Sequence, residues 1–169
     1  IETTTLELGD LDAVRAAIRP STRILWVETP SNPLLKITDI AGLASLAHEH
    51  GLLLVVDNTF ASPALQQPIA LGADVVVHST TKYLGGHSDV LGGAVVLADE
   101  THAEAVGFQQ FAVGGVSAPL DAWLTTRGIK TLSLRMQRHS ENAQAIAEWA
   151  AERPEFETVF YPGLASHAG

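Results

Sequence analysis

Short unbroken apolar runs alternate with helix-period segments along the first hundred residues. Residues 23–28 (RILWVE) form such a run, closed by Thr29-Pro30-Ser31-Asn32-Pro33. Two prolines this close exclude a helix, because each fixes φ, removes an amide donor and disfavours helical geometry in the residue before it. The segment therefore reads as a strand followed by a loop. Over residues 39–50, Ile40, Leu43, Ala44, Leu46 and Ala47 recur at helical spacing, with Asp39 placed to cap the start and Gly51 to end it. Residues 52–57 (LLLVVD) lack the alternation of a half-exposed strand, which marks a parallel strand covered on both faces. A helical stretch is expected over 63–71 and a strand over 74–78. Ser79-Thr80-Thr81-Lys82, a glycine-rich stretch over 85–93 and a further strand over 94–98 follow. Strands alternating with helices imply right-handed crossovers and an α/β fold with a mainly parallel sheet.

Beyond Pro119 the pattern turns helical. Residues 132–151 carry Leu134, Met136, Ala143, Ile146, Ala147 and Trp149 among charged positions, with Pro154 as terminator. This long helix divides the expected organisation, with residues 1–132 in a large domain and 133–169 forming a connecting helix and the start of a second domain. No internal repeat or low-complexity linker interrupts the chain. It opens on Ile1 and stops at Ser166-His167-Ala168-Gly169 without a clear terminal element, so both ends read as cuts within a longer protein.

Composition narrows the class. With 46% hydrophobic residues in 169, the chain can bury one ordinary core, and its formal charge of −9 with no Lys/Arg run disfavours nucleic acid or an anionic membrane as partner. No cysteine is present, so neither a disulfide framework nor a thiolate metal site is available, and a cytoplasmic location is the default expectation. Seven histidines invite a metal hypothesis, but His48 and His50 lie two apart on an expected helix and point apart, and no H-E-x-x-H occurs. Solvated or capping roles are expected for them, and core packing for Trp26, Trp123 and Trp149. The glycines after Lys82 match neither G-x-x-x-x-G-K-[ST] nor G-x-G-x-x-G, so a turn around the lysine is expected in place of a nucleotide loop.

Ligands in open parallel sheets bind beyond the carboxyl ends of the strands. Asn32, Asp57 and Lys82 follow one another at intervals of 25 residues, about one strand-helix-strand unit, so successive units would deliver them to one rim. A carboxylate ending an aliphatic run, as Asp57 does, is costly without a cation or several donors. The pyridinium nitrogen of pyridoxal phosphate (PLP) is a fitting partner, since a carboxylate beside it keeps the ring protonated and electron-withdrawing. Ser79 and Thr81 offer two hydroxyls suited to a phosphate, and Lys82 an amine able to form an imine. Singly, Asp57 is more often a turn former and Lys82 a solvated lysine. Their joint placement at strand ends favours the functional reading.

These residues are also familiar together. VETPSNP at 27–33, VDNTF at 56–60, HSTTKYLGGHSDV at 78–90, RGIKTL at 127–132, RMQRH at 135–139 and YPGL at 161–164 resemble the Cys/Met-metabolism family of PLP enzymes. That family includes cystathionine γ-synthase, cystathionine γ- and β-lyases, methionine γ-lyase and the homoserine-ester sulfhydrylases. The resemblance implies the fold type I architecture, of which this chain is a fragment, and a homotetramer built from dimers that share active sites. It implies that Lys82 is the Schiff-base lysine and proton carrier, Asp57 the partner of the ring nitrogen, and Ser79 and Thr81 phosphate ligands. Asn32 would lie by the cofactor's phenolic oxygen and the substrate carboxylate. An upstream Tyr-x-Arg segment, a glycine-containing phosphate loop, a ring-stacking tyrosine and a downstream carboxylate-binding arginine are expected outside this chain, so the fragment alone is expected to be inactive.

The expected reaction is elimination or replacement at the γ-carbon of a small sulfur amino acid or homoserine ester, of the cystathionine γ-synthase or γ-lyase type, which RGIKT at 127–131 resembles more than it does the sulfhydrylases. O-acylhomoserine sulfhydrylase, methionine γ-lyase and cystathionine β-lyase activities are the alternatives within the family. An aminotransferase or desulfurase would share Asp57 and Lys82 but should differ after the lysine, where this chain reads Gly86-His87-Ser88-Asp89. A non-catalytic scaffold that kept the fold is the reading from another class.

Overall fold

A computed structural model describes residues 1–168. Four strands form one sheet in the order β1-β2-β3-β4, comprising β1 (Ile24–Glu28), β2 (Leu53–Asp57), β3 (Val75–Ser79) and β4 (Gly93–Leu97). The first three run parallel and β4 returns antiparallel to β3. Helix α1 (Leu11–Ala17) precedes β1, and α2 (Ile40–Glu49) makes the crossover to β2. Asp10 caps α1 by accepting from the Asp12 and Ala13 amides at 3.1 and 3.0 Å, and Asp39 caps α2 by accepting from Gly42 at 3.0 Å. The cap and stop expected for α2 are where the sequence pattern places them.

The core lies between one face of the sheet and helices α1 and α2. Val14, Val27, Leu43, Leu46, Leu54, Val56 and Val76 meet there, and Leu43, Leu54 and Val56 are fully buried. Each such side chain contributes roughly 1.5–3 kcal/mol of transfer free energy. Val55, which faces the other way on β2, is buried as well, so the unbroken apolar run does mark a strand covered on both faces. Register aligns Glu28 with Asp57 and Asp57 with Val77. The carboxyl ends of the three parallel strands therefore share one rim.

Between β2 and β3 the expected single helix over 63–71 is two pieces, α3 (Ser62–Leu65) and a 3-10 turn over Pro68–Leu71. Pro68 has no amide to continue a helix, and Gln66 is extended, its side chain donating to the Thr29 carbonyl at 2.7 Å and to Asn58 Oδ1 at 2.9 Å. Three helices follow the sheet, α4 (Ala103–Val113), α5 (Pro119–Ile129) and α6 (Leu132–Ala151). The tryptophans depart from expectation. Trp26 on the edge strand β1 is 56% exposed, and Trp123 and Trp149 are also exposed, the last beneath the Arg153 guanidinium at 4.8 Å from its ring centre. Among the described residues no helix is long and apolar enough to cross a membrane, and no group of three or more potential ligands stands close enough to hold a metal ion.

Candidate active site

An open cavity of about 1120 Å³ sits on the rim where β1, β2 and β3 end, and Asn32, Asp57, Ser79, Thr81 and Lys82 all line it. Each arrives by a different local route. The loop after β1 that carries Asn32 is folded on itself, with the Ser31 amide donating to the Lys36 carbonyl at 3.0 Å, Leu35 to Ser31 at 2.8 Å, and the Lys36 amide to Ser31 Oγ at 3.1 Å. The Lys36 amine is spent elsewhere, on Glu7 at 2.6 Å.

Asp57 is the last residue of β2. Its Oδ1 accepts from the Thr59 amide at 2.9 Å, while Thr59 Oγ1 accepts from the Ser79 amide at 2.8 Å. Thr59 thus fixes the carboxylate and ties the ends of β2 and β3 together. Sequence reasoning passed over it, because a threonine two residues past a strand end carries no signal that both its amide and its hydroxyl are used. Beneath this rim Asn58 is fully buried, its side chain donating to the Gln66 carbonyl at 2.9 Å.

Ser79 ends β3 and opens a π-type turn over Thr80–Leu84 without capping it through its side chain. Its hydroxyl is left for the cavity. Thr81 is more committed, since its Oγ1 accepts from the Gly92 amide at 3.0 Å and its hydroxyl donates to the Gly92 carbonyl at 3.4 Å. A Cβ at Gly92 would meet Thr80 Oγ1 at 2.7 Å, so a glycine is what lets the chain return this closely to the lysine turn. Within the turn Lys82 leaves helical geometry, at φ −90° and ψ −127°, and its side chain is exposed on the cavity wall and joins no ion pair among the described residues.

An aromatic row completes one wall. The Phe60 and Tyr83 rings stand edge to face at 6.4 Å between centres, and Tyr83 meets His139 of α6 at 5.5 Å. Tyr83 neighbours the lysine and Phe60 closes the VDNTF segment, but His139, which closes the RMQRH segment, is 57 residues beyond Lys82, and only the fold brings it to the site. Together the walls offer a fixed carboxylate, an uncommitted hydroxyl, an amine that joins no ion pair among the described residues and a row of aromatic rings. That donor set suits a planar, phosphate-bearing cationic heterocycle with a carbonyl near Lys82 Nζ.

His78 lies on β3 just under the site, buried, with no hydrogen-bond partner for Nδ1 among the described residues. Burial pushes its pKa below the ordinary histidine value, against the Asp57 charge and the Asn58 backbone, which pull it up. The folded protein thus binds the proton less well than the unfolded chain, so this contribution to stability is present in full above about pH 6.5 and is lost as the pH falls from there through the lower folded pKa. Urea unfolding across pH 5–8 is expected to show wild-type stability falling on the acid side with a slope of up to about 1.4 kcal/mol per pH unit more than in H78Q. Parallel curves for the two proteins would refute this.

Comparison with known proteins identifies the chain's family. The family model for Cys/Met metabolism PLP-dependent enzymes matches residues 1–169. The chain is 60% identical over its full length to a cystathionine gamma-synthase of Mycobacterium leprae, of which it covers 44%. It is 53% identical over 97% of its length to a cystathionine beta-lyase of Lactococcus lactis subsp. cremoris, of which it covers 43%. The crystal structure of cystathionine gamma-lyase from Lactobacillus plantarum complexed with L-serine superposes with a TM-score of 0.94 at 50% identity, over 96% of this chain and 42% of that one. The chain spans less than half the length of each.

Proposed function

Since the chain belongs to the Cys/Met metabolism PLP-dependent enzymes and has their fold type I α/β architecture with a mainly parallel sheet, we propose that the protein carrying it performs elimination or replacement at the γ-carbon of cystathionine or a homoserine ester. The observation that carries this reading is the convergence of Asn32, Asp57, Ser79, Thr81 and Lys82 on one cavity. Bound there, pyridoxal phosphate would supply an aldehyde to take the substrate amine and a ring that accepts the electrons released at Cα.

The chain's own groups do the rest. Asp57, held by the Thr59 amide, keeps a proton on the ring nitrogen. Ser79 and Thr81 hold the phosphate, Thr81 through whatever hydrogen-bonding capacity Gly92 leaves it. Asn32 orients the phenolic oxygen and the substrate carboxylate. Lys82 Nζ would hold the cofactor through its aldehyde and, with substrate in place, would take the α-proton and carry it between substrate carbons. Phe60, Tyr83 and His139 form one wall of the cavity beside that amine. Loss of a β-proton then lets the γ-substituent depart.

A dimer-of-dimers assembly belongs to the same proposal, supported by the apolar residues that α4 and α5 leave exposed, Phe108, Phe111, Val113, Leu120 and Trp123 among them. So does a division in which α6 leads from the cofactor domain into a second one. Elimination at the β-carbon is the second reading, favoured by the 53% identity to a cystathionine beta-lyase. Product identification separates these activities. Cystathionine alone should yield cysteine, 2-oxobutanoate and ammonia by γ-elimination, or homocysteine, pyruvate and ammonia by β-elimination. An O-acylhomoserine with cysteine should yield cystathionine and the free acid if the enzyme is a synthase. None of these products from PLP-loaded intact protein would defeat the proposal in favour of a scaffold.

A further inference from the structure

One side chain braces the Lys82 turn from outside. Arg135, in the first turn of α6, donates from Nη1 to the Tyr83 carbonyl at 2.8 Å, from Nη2 to the Gly128 carbonyl at 2.8 Å, and from Nε to Thr131 Oγ1 at 3.1 Å. A single planar fork thus links the residue after Lys82 to the last turn of α5 and to the joint between α5 and α6. The fit is tight on both sides. A Cβ at Gly86 would run into the Arg135 guanidinium, and one at Gly128 into the carbonyls of Leu84 and Gly85. Gly86 also sits at φ +76°, in the region that favours glycine. Beneath the fork Leu84, Leu132 and Met136 form a small buried cluster with Tyr83 packed against it.

Lys82 is non-helical; the Gly85 amide donates to the Thr80 carbonyl at 2.9 Å and also to the Lys82 carbonyl, and the Gly86 amide donates to the Lys82 carbonyl at 2.8 Å. Where Lys82 stands also depends on what grips Tyr83 to Gly86 from outside. Charge-assisted bonds from a guanidinium are the strong kind, and a helix C-terminus such as that of α5 favours a cation near its free carbonyls.

We infer that Arg135 is a positioning residue for Lys82, fixing the lysine turn against the α5–α6 joint so that Nζ is held at one place on the cavity wall. This rests on the assignment of Lys82 proposed above. Arg135 touches no reacting atom. Lysine at this position has a single point of donation and cannot hold three acceptors at the angles a fork allows.

The test uses the intact protein and the variants R135Q and R135K. In the cofactor-free form, amide exchange at Gly85 and Gly86 is expected to quicken at least about tenfold in R135Q, while the core amides of Val55 and Val56 keep their wild-type rates. In the loaded form kcat is expected to fall about 10–100-fold with KM changed less than about threefold, since displacing a reacting group by an ångström has that scale of effect. R135K should recover only part of both losses. Equal acceleration of turn and core amides would mean general destabilisation and overturn the inference, as would unchanged exchange and turnover. Should R135Q not fold, R135K decides alone, and wild-type behaviour in it overturns the inference. Borohydride reduction and peptide mapping of the wild-type protein tell the two failures apart. A pyridoxyl adduct on another lysine removes the Lys82 assignment and this inference together, whereas an adduct on Lys82 with unaffected Arg135 variants removes this inference alone.

Discussion

Replacing Lys82 with alanine in the intact protein is expected to lower turnover by about 10³-fold or more without unfolding it. Two functions are lost at once, covalent capture of the cofactor and transfer of the substrate proton, and general acid–base transfer alone is worth about 10²–10⁴-fold. The fold should survive because the Lys82 side chain is exposed and joins no ion pair among the described residues. Truncation leaves space on the cavity wall, so a small primary amine such as methylamine should restore part of the activity, with larger amines restoring less. Borohydride reduction of the loaded wild-type protein should place the pyridoxyl mass on the peptide containing Lys82. Neither Lys36 nor Lys130 lines the cavity, and Lys36 is paired with Glu7. An adduct on either, or an alanine variant that turns over at the parent rate, would remove the lysine from the mechanism.

Legibility of this site follows from what makes a signal local. β2 could be read because a strand buried on both faces needs five apolar side chains in a row, and Asp57 at its end was conspicuous for the same reason. The 25-residue interval from Asn32 to Asp57 to Lys82 was readable because a strand, a crossover and the next strand take about that length, so residues at equal phase reach the same rim. What lay hidden was spent in tertiary contacts. Gln66 leaves the helical pattern because its side chain bridges Thr29 and Asn58, partners eight and 37 residues away. Helix α4 has no buried residue and no apolar stripe, so periodicity could not announce it, and Trp26 faces out from an edge strand although its neighbours Leu25 and Val27 face in. Thr59, His139 and Arg135 use generic chemistry, an amide, a ring face and a carbonyl clamp, that residue identity alone does not advertise.

The Asp57 carboxylate is the second group on which turnover should depend steeply. Replacing it with alanine is expected to cut kcat of the loaded protein by about 10²–10³-fold, the scale for removing one preorganised charge partner from a developing-charge site. Cofactor affinity should weaken by about tenfold or more, since a hydrogen bond to a charged group is worth roughly 1.5–3 kcal/mol. D57N separates two uses of the side chain. An amide oxygen can still accept from the Thr59 amide, as Asp57 Oδ1 does at 2.9 Å, so the rim should keep its shape and D57N should melt near the wild-type temperature. It cannot hold a full negative charge against the ring nitrogen, so its turnover should fall nearly as far as that of D57A. His78 provides an internal control. The Asp57 charge pulls the His78 pKa up against burial, so D57N should push it further down and extend to lower pH the range over which acid destabilises the protein. A D57N protein that is slow, folded and more acid-sensitive in this way locates the defect in charge. One that turns over at the wild-type rate with the cofactor bound would show that ring protonation is governed from elsewhere.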